Sequence, residues 1–215
     1  MSAPKSHLRK KGRSPSLHRA SEEPSLGLRR GTVRLVPNDP RWKGAFLREK
    51  RRIRRALGPF ARDFEHVGST AIPGVPAKPI LDIMAAVPSL EGLKPHAGSL
   101  TSLGYEYLGA RGARGRRFLA KGPDARRTVH LHLTTKQSPF WIKHLLFRDY
   151  LRGHAEAVHE YATLKRRLAR RHGRDRDKYT EGKASFVRKI LRRAKALPER
   201  GRQRSGREGP KSLLI

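Results

Sequence analysis

The stretch that decides the fold is residues 64–87, which read FEHVGSTAIPGVPAKPILDIMAAV. Residues 64–67 and the aliphatic residues 80–87 each predict a β-strand, and the Pro and Gly residues between them predict an irregular connector. Gly68 has no Cβ, so its backbone can approach a ligand closely. Ser69 and Thr70 follow with hydroxyl and N–H groups that suit a phosphate. The turn after the first strand is therefore a candidate phosphate-binding turn.

Asp82 is the single acid in the aliphatic run of residues 80–87. A carboxylate in a strand that tends to be buried needs a partner, and a metal ion or a bound ligand is a frequent one. Alternation along the strand places Ile80, Asp82 and Met84 on one face of the sheet. Asp82 is thus a candidate ligand-binding residue.

Two histidines share one face of another predicted strand, residues 128–134. Imidazoles at positions i and i+2 suit paired metal ligands or acid–base groups, although the same pattern also occurs in purely structural strands. Same-facing side chains on adjacent strands come close together. We therefore expect Asp82, His130 and His132 to converge with Gly68 and Ser69 on one basic-rimmed pocket.

The remaining sequence predicts an α/β (α+β) domain, a mixed sheet of about five strands with flanking helices. A short strand is expected at residues 32–36, and residues 105–108 and 116–121 are expected to form a hairpin. Helical periodicity and cap residues predict further helices, one that begins at Pro40 and ends before Gly58, and others at residues 88–103, 139–153, 155–171 and 175–196. The last three helices are expected to form a compact block beside the sheet.

Charge dominates the composition: 50 Lys and Arg against 18 Asp and Glu give a formal net charge of +32. The segments 1–31 and 197–215 are polar and basic and are predicted to be disordered tails around a domain at residues 32–196. That domain remains strongly basic, so the chain is expected to attract nucleotides and, through its tails, nucleic acid without sequence preference. The absence of cysteine and of any long apolar run favours a cytoplasmic protein without membrane contact.

The ordered motifs of the chain resemble those of the GrpB family, which is grouped with the polymerase-beta-like nucleotidyltransferases. The motifs that carry the resemblance are residues 65–70 (EHVGST), 73–74 (PG), 78–84 (KPILDIM), 117–118 (RF), 130–133 (HLHL) and 147–152 (FRDYLR), together with Tyr179 and Lys183. The resemblance covers residues 33–194. One departure stands out, because Met84 occupies the position where the superfamily pattern has a second acid.

The resemblance implies a site for a nucleotide and a divalent metal, Mg²⁺ or Mn²⁺ and, with mixed N/O ligands, Zn²⁺. Asp82, His130 and His132 would be catalytic. The implied metal ligands are Asp82, Glu65, His130 and His132. The implied nucleotide- or phosphate-binding residues are Gly68, Ser69, Thr70, Lys78, Arg117, Arg148 and Lys183.

Three functions remain open at this point. The first is transfer of a nucleotidyl group to an acceptor that the sequence does not specify. The second is a non-catalytic nucleotide- or phosphate-binding module, which fits the occurrence of the family as a domain fused to dephospho-CoA kinases. The third is a basic nucleic-acid-associated protein, although the aromatic residues follow the apolar faces of helices instead of the basic surface.

Overall fold

The computed structural model describes residues 24–110 and 113–197. These residues form an α+β domain in which helices flank one five-stranded mixed sheet, as the sequence predicts. The strands are β1 (Asp63–Val67), β2 (Leu81–Ala86), β3 (Tyr105–Tyr107), β4 (Arg116–Lys121) and β5 (Val129–Thr134). The helices are α1 (Arg41–Leu57), α2 (Ala97–Ser102), α3 (Pro139–Gly153), α4 (Ala155–Arg171), α5 (Arg176–Glu181) and α6 (Ala184–Ala196).

The order of strands in the sheet is β1-β2-β5-β4-β3. Strand β2 pairs antiparallel with β1 and parallel with β5, so the two strands predicted to carry the site are neighbours in the sheet. The register aligns Asp82 with His130 and Met84 with His132. Because side chains alternate along a strand, all four point to the same face of the sheet.

Helix α1 covers the opposite face. Its apolar residues Trp42, Phe46, Ile53 and Leu57 are buried against the inward side chains of the sheet. Glu49 is also buried in this helix, where its carboxylate accepts hydrogen bonds from the Tyr105 hydroxyl (2.8 Å) and from Lys121 Nζ (2.7 Å). These bonds satisfy the buried charge and tie α1 to the far edge of the sheet.

The C-terminal helices cover part of the site face. Trp141 of α3 packs on Val67, Met84 and Ala86. Helices α3, α4 and α6 form a second apolar cluster with Ile72 and Val75 of the connector between β1 and β2. A cavity remains between this helical block and the part of the sheet around Asp82.

Two of the predicted helices are interrupted. Residues 88–103 form a 3₁₀ helix (Glu91–His96) followed by the short α2, with Pro95 inside the 3₁₀ segment where it lacks an N–H group. Residues 175–196 form α5 and α6 in place of one helix. The break falls at Gly182, where a Cβ would lie 2.5 Å from Leu168 Cδ2.

Two predictions for the N-terminal region are wrong. Residues 32–36 form no strand, since only Val36 makes a single bridge, to Ala77. Residues 24–31, assigned from composition to a disordered tail, pack on the domain, and Leu28 exchanges two backbone hydrogen bonds with Arg127. The rest of the two predicted tails, residues 1–23 and 198–215, lies outside the described residues, as do residues 111–112. No helix in the described ranges combines the length and apolar character needed to cross a bilayer.

Candidate functional site

Asp82 forms a cluster with the two histidines of β5. His130 Nδ1 lies 3.0 Å from Asp82 Oδ1, and His132 Nε2 lies 3.7 Å from the same oxygen. Both histidines are buried, whereas 32% of the Asp82 side chain is exposed. The structure therefore brings together the three residues predicted to converge, while their catalytic role stays a prediction.

Hydrogen bonding fixes the charge of this cluster. Burial acts to raise the pKa of Asp82, but the hydrogen bond from His130 and the polar interaction with His132 outweigh it and hold that pKa well below its usual value. Burial lowers the pKa of His132 to about 4. Arg116 can only donate, so His132 Nδ1 accepts from it and Nε2 carries the proton that faces Asp82. The cluster thus pairs an ionised carboxylate with a neutral imidazole at His132.

The turn after β1 lies against this carboxylate. Gly68 has φ +67°, and a Cβ there would lie 2.4 Å from Asp82 Oδ2. Ser69 lines the cavity, as does Tyr161. The Thr70 hydroxyl lies 2.9 Å from His66 Nε2, so it is already used inside the fold. The missing side chain of Gly68 therefore leaves room for the Asp82 carboxylate, and not only for a ligand.

The cavity above Asp82 has a volume of about 330 Å³, within the range typical of small-molecule sites. Its wall is strongly cationic, because Asp82 is the sole acid among its described lining residues. The basic side chains that line it are Lys78, Lys143, Lys165, Arg176 and Lys183.

Two of these lysines face the same aromatic ring. The Nζ atoms of Lys183 and Lys78 lie 4.4 and 6.0 Å from the centre of the Tyr179 ring. Burial, followed by repulsion from Arg176, lowers the pKa of Lys78 to about 8. Burial, followed by repulsion from Lys78, lowers the pKa of Lys183 to about 8 as well. Both residues were predicted to bind phosphate, and both line the cavity.

Lys165 lies deeper in the same wall. Only 2% of the residue is exposed, and its Nζ atom donates to the carbonyl oxygen of Pro76. Burial, followed by the charges of Lys183 and Lys78, holds the pKa of Lys165 well below its usual value. Lys165 was not among the site residues expected from the sequence.

An open cleft adjoins the cavity and shares Asp82, His130 and His132 with it. The volume of the cleft is about 800 Å³. Its other basic lining residues are Arg30, Arg116, Arg174 and Arg176. The Asp–His cluster therefore stands between a partly enclosed lysine-lined cavity and a more open arginine-lined cleft.

The structure places Arg117 away from this site. Arg117 is aligned with Leu133, whose side chain belongs to the core under α1, so Arg117 points to the opposite face of the sheet from His132. The neighbouring Arg116 points to the same face of the sheet as His132, and its guanidinium lies 4.8 Å from the centre of the Phe118 ring. Its position in the strand places Arg117 on the face that packs against α1, outside the described cavity wall, and the phosphate-binding role predicted for it stays a prediction.

Glu65 and Arg148 do not reach the cavity either. Arg148 is buried, and its guanidinium donates to Glu65 (2.5 Å), to the backbone carbonyl of His66 (2.9 Å) and to Asp149 (2.7 Å). These acceptors engage the guanidinium, and the bond to Arg148 holds the Glu65 carboxylate away from Asp82. The ion pair joins β1 to α3 and gives both residues a structural role, while their predicted roles in metal and phosphate binding stay predictions.

The predicted metal ligand set does not assemble. Asp82 is the one carboxylate at the cavity, Met84 is buried where a second acid was expected, and a thioether is a poor ligand for Mg²⁺. Across the described ranges 24–110 and 113–197, no group of three or more His, Asp or Glu side chains is arranged to hold a metal ion. The donor atoms therefore do not fit the divalent metal that the resemblance implies.

The sequence held a signal for some of the missed residues. Lys165 follows Tyr161 by four positions and precedes Leu168 by three, so it interrupts the apolar face of α4 with a charge. Arg116 directly precedes the predicted Arg117, and because side chains alternate along a strand, only one of the two can point to the face that carries His132. His144 and Arg176 carry no comparable signal, because their place in the cavity wall depends on how α3 and α5 pack.

The fold and site define a class: an α+β domain with a cation-lined cavity beside an Asp–His–His cluster. The chain belongs to the GrpB protein family, whose sequence pattern matches residues 32–193. It is similar to a crystal structure of the conserved protein GrpB from Enterococcus faecalis, with a TM-score of 0.70 and 36% identity over 75% of this chain and 96% of that one. The resemblance noted in the sequence is thereby confirmed.

Three relatives differ in how much of their own length this chain spans. The glutamate-rich protein GrpB of Alkalihalophilus pseudofirmus is 36% identical over 77% of this chain and 98% of its own length. The UPF0157 protein YqkA of Bacillus subtilis (strain 168) is also 36% identical, but this chain spans only 47% of its length. A dephospho-CoA kinase of Mycolicibacterium paratuberculosis is 32% identical over 77% of this chain and 46% of its own length. The domain thus also matches part of larger proteins.

Proposed function

We propose that this protein binds a phosphorylated small molecule, with nucleotides as the first candidates, in the cavity between β2 and the C-terminal helices. The observation that carries the proposal is the charge of the cavity wall. Among the described residues that line it are four lysines and one arginine, and the only acid is Asp82. Such a concentration of cations in a partly enclosed space attracts an anion strongly, because the local dielectric is low.

The state of Lys78 and Lys183 supports the same conclusion. Neither side chain has a hydrogen bond or an ion pair within the described ranges, and each lies over the Tyr179 ring. Burial lowers both pKa values, with a further contribution from the charge of Arg176 on Lys78 and from the charge of Lys78 on Lys183, so a bound phosphate would offset this repulsion and favour the protonated lysines. In this proposal Lys78 and Lys183 hold the phosphate, Ser69 contributes a hydroxyl, and Asp82 bounds the site.

Transfer of a nucleotidyl group is a second candidate. The ionised Asp82 carboxylate and the His130 imidazole lie between the cavity and the open cleft, where two substrates could meet. A metal-bridged triphosphate would need more oxygen ligands than the described residues offer. The match of the family domain to part of a dephospho-CoA kinase favours an accessory phosphate-binding role over an independent transferase.

Isothermal titration calorimetry tests the proposal directly. The ligands are the four nucleoside triphosphates, pyrophosphate and inorganic phosphate, each at low and at physiological ionic strength, in EDTA and then in Mg²⁺ or Mn²⁺. Saturable one-to-one binding that survives physiological salt in EDTA is the expected result. Binding that disappears with salt would reduce the site to the general polyanion attraction of a basic surface. Binding that requires metal would favour the transferase.

A further inference from the structure

Lys165 is the most deeply buried basic group of the cavity. It lies on α4, and its nitrogen stands 5.2 Å from the centre of the Tyr161 ring. Its hydrogen bond to the Pro76 carbonyl fixes the nitrogen at the cavity wall, and a neutral amine can donate this bond as well as an ammonium group. No carboxylate forms an ion pair with Lys165 in the described part of the chain, which is unusual for a charge at this depth.

The groups around Lys165 disfavour its protonated form. Lys183, next to α6, and Lys78, in the connector before β2, both carry positive charge toward it. Asp82 of β2 acts in the opposite direction but forms its bonds with the histidines. A lysine that is desolvated and crowded by other cations is held as a neutral amine, which is the nucleophilic form.

We propose that Lys165 is a nucleophilic amine that forms an imine with the carbonyl group of a phosphorylated aldehyde or ketone. This inference rests on the proposed function, since Lys78 and Lys183 hold the phosphate while Lys165 meets the carbonyl carbon. The nitrogen lone pair forms the C–N bond as the carbonyl oxygen takes up a proton, and the nitrogen loses one. The hydroxyl of this carbinolamine then takes a proton from solvent and leaves as water while the C=N bond forms.

Reductive trapping on the intact chain tests this assignment. The protein is incubated with pyridoxal 5′-phosphate near neutral pH, treated with borohydride to convert an imine into a stable secondary amine, and mapped by peptide mass spectrometry. Lys94, an exposed lysine remote from the cavity, is the internal reference. We expect Lys165 to be labelled at least about tenfold faster than Lys94, because each unit by which a pKa falls raises the neutral fraction by about that factor. Labelling that favours Lys94, Lys78 or Lys183 over Lys165 overturns the assignment.

Two further measurements distinguish a failure of the imine proposal from a failure of the proposed phosphate binding. Pyridoxal, which lacks the phosphate, should label Lys165 more slowly than pyridoxal 5′-phosphate, and inorganic phosphate should protect the lysine. Equal labelling by both aldehydes would retain the nucleophile but refute phosphate binding. Calorimetric phosphate binding without labelling at Lys165 would retain the function and refute the nucleophile. All of these measurements use the wild-type protein, so none of them requires that a Lys165 variant fold correctly.

Discussion

Gly68 and Asp82 are in such close contact that the carboxylate occupies the space of a side chain at position 68. A Cβ built on Gly68 would lie 2.4 Å from Asp82 Oδ2 and 3.0 Å from Asp82 Cβ. The backbone of Gly68 also has a φ of +67°, which residues with a side chain rarely adopt. The glycine after β1 therefore fixes where the single acid of the cavity stands.

Substitution of Gly68→Ala should destabilise the fold and displace Asp82. Strained backbone and a steric clash act together, so we expect a loss of about 1–3 kcal/mol in the free energy of unfolding. Chemical denaturation measures this loss. Gly98→Ala is the matched control, since Gly98 lies in α2 and a Cβ there meets no atom within 4 Å. That variant should be neutral or more stable by up to about 1 kcal/mol. Equal stability of the two variants would contradict the steric account.

Sequence reasoning located the sheet because alternation and Gly/Pro breaks are local signals. The same parity argument correctly placed Asp82, His130 and His132 on one face. It could not foresee that Leu28 bonds to Arg127, because that contact depends on the path of the chain and carries no periodic signal. Nor could it foresee that the Gly182 backbone packs against Leu168 and divides the last helix.

The roles of the charged residues were harder to predict than the strands. Arg148 and Glu65 carry the same charges whether they bind a ligand or pair with each other. Only the tertiary packing shows that they form an ion pair. Lys165 falls on the apolar face of α4, where its long side chain could either extend to solvent or stay buried as an amine. Whether the side chain is buried decides between these two roles, and the burial of a charged residue cannot be read from a single sequence.

Lys183→Met should weaken binding of pyrophosphate or of a nucleotide about tenfold to a hundredfold, the usual range for one hydrogen bond to a charged group. The methionine retains the length and apolar stem of the lysine, so the packing over Tyr179 survives. Calorimetry measures the loss, and thermal denaturation checks the fold. Lys94→Met is the control, because it removes an equal charge from a surface remote from the cavity. Similar losses in both variants would indicate a general charge effect and no specific site.

Affinity for a phosphate ligand should fall as the pH rises above about 8. The protonated lysine binds the anion, so binding is complete below the pKa of Lys78 and Lys183 and is lost above it. A bound anion raises both pKa values, which moves the midpoint of the loss to higher pH. The second pKa of a phosphate monoester is about 6, so the ligand charge stays constant over this range. Calorimetry between about pH 7 and 10 measures the profile.

The control for this profile is the pair of variants used above. Lys183→Met should show a shallower pH dependence, since one of the two titrating groups is gone, whereas Lys94→Met should keep the wild-type slope. A wild-type affinity that stays constant through pH 9 would exclude these lysines as the phosphate ligands.

Asp82→Asn should distinguish an anion site from a metal site by the sign of its effect. If the cavity binds the anion directly, removal of the sole acid in its wall should strengthen binding in EDTA. Two charges about 7 Å apart at an effective dielectric of about 20 interact by about 2 kcal/mol, so a gain of up to about thirtyfold is expected at low salt. If Asp82 instead holds a metal that holds the ligand, the same variant should abolish metal-dependent binding.

The conditions of that measurement matter because Asp82 also raises the pKa values of Lys78 and Lys183. Its loss lowers both values and would offset the gain at alkaline pH, so the titration belongs near pH 7, where both lysines remain mostly protonated. Asparagine is nearly isosteric, and its amide oxygen can still accept from His130 and His132. We expect stronger binding of pyrophosphate in EDTA at low salt and a smaller gain at physiological salt. Unchanged affinity in both salts, with and without Mn²⁺, would contradict both schemes and leave Asp82 as the structural acceptor of the two imidazoles.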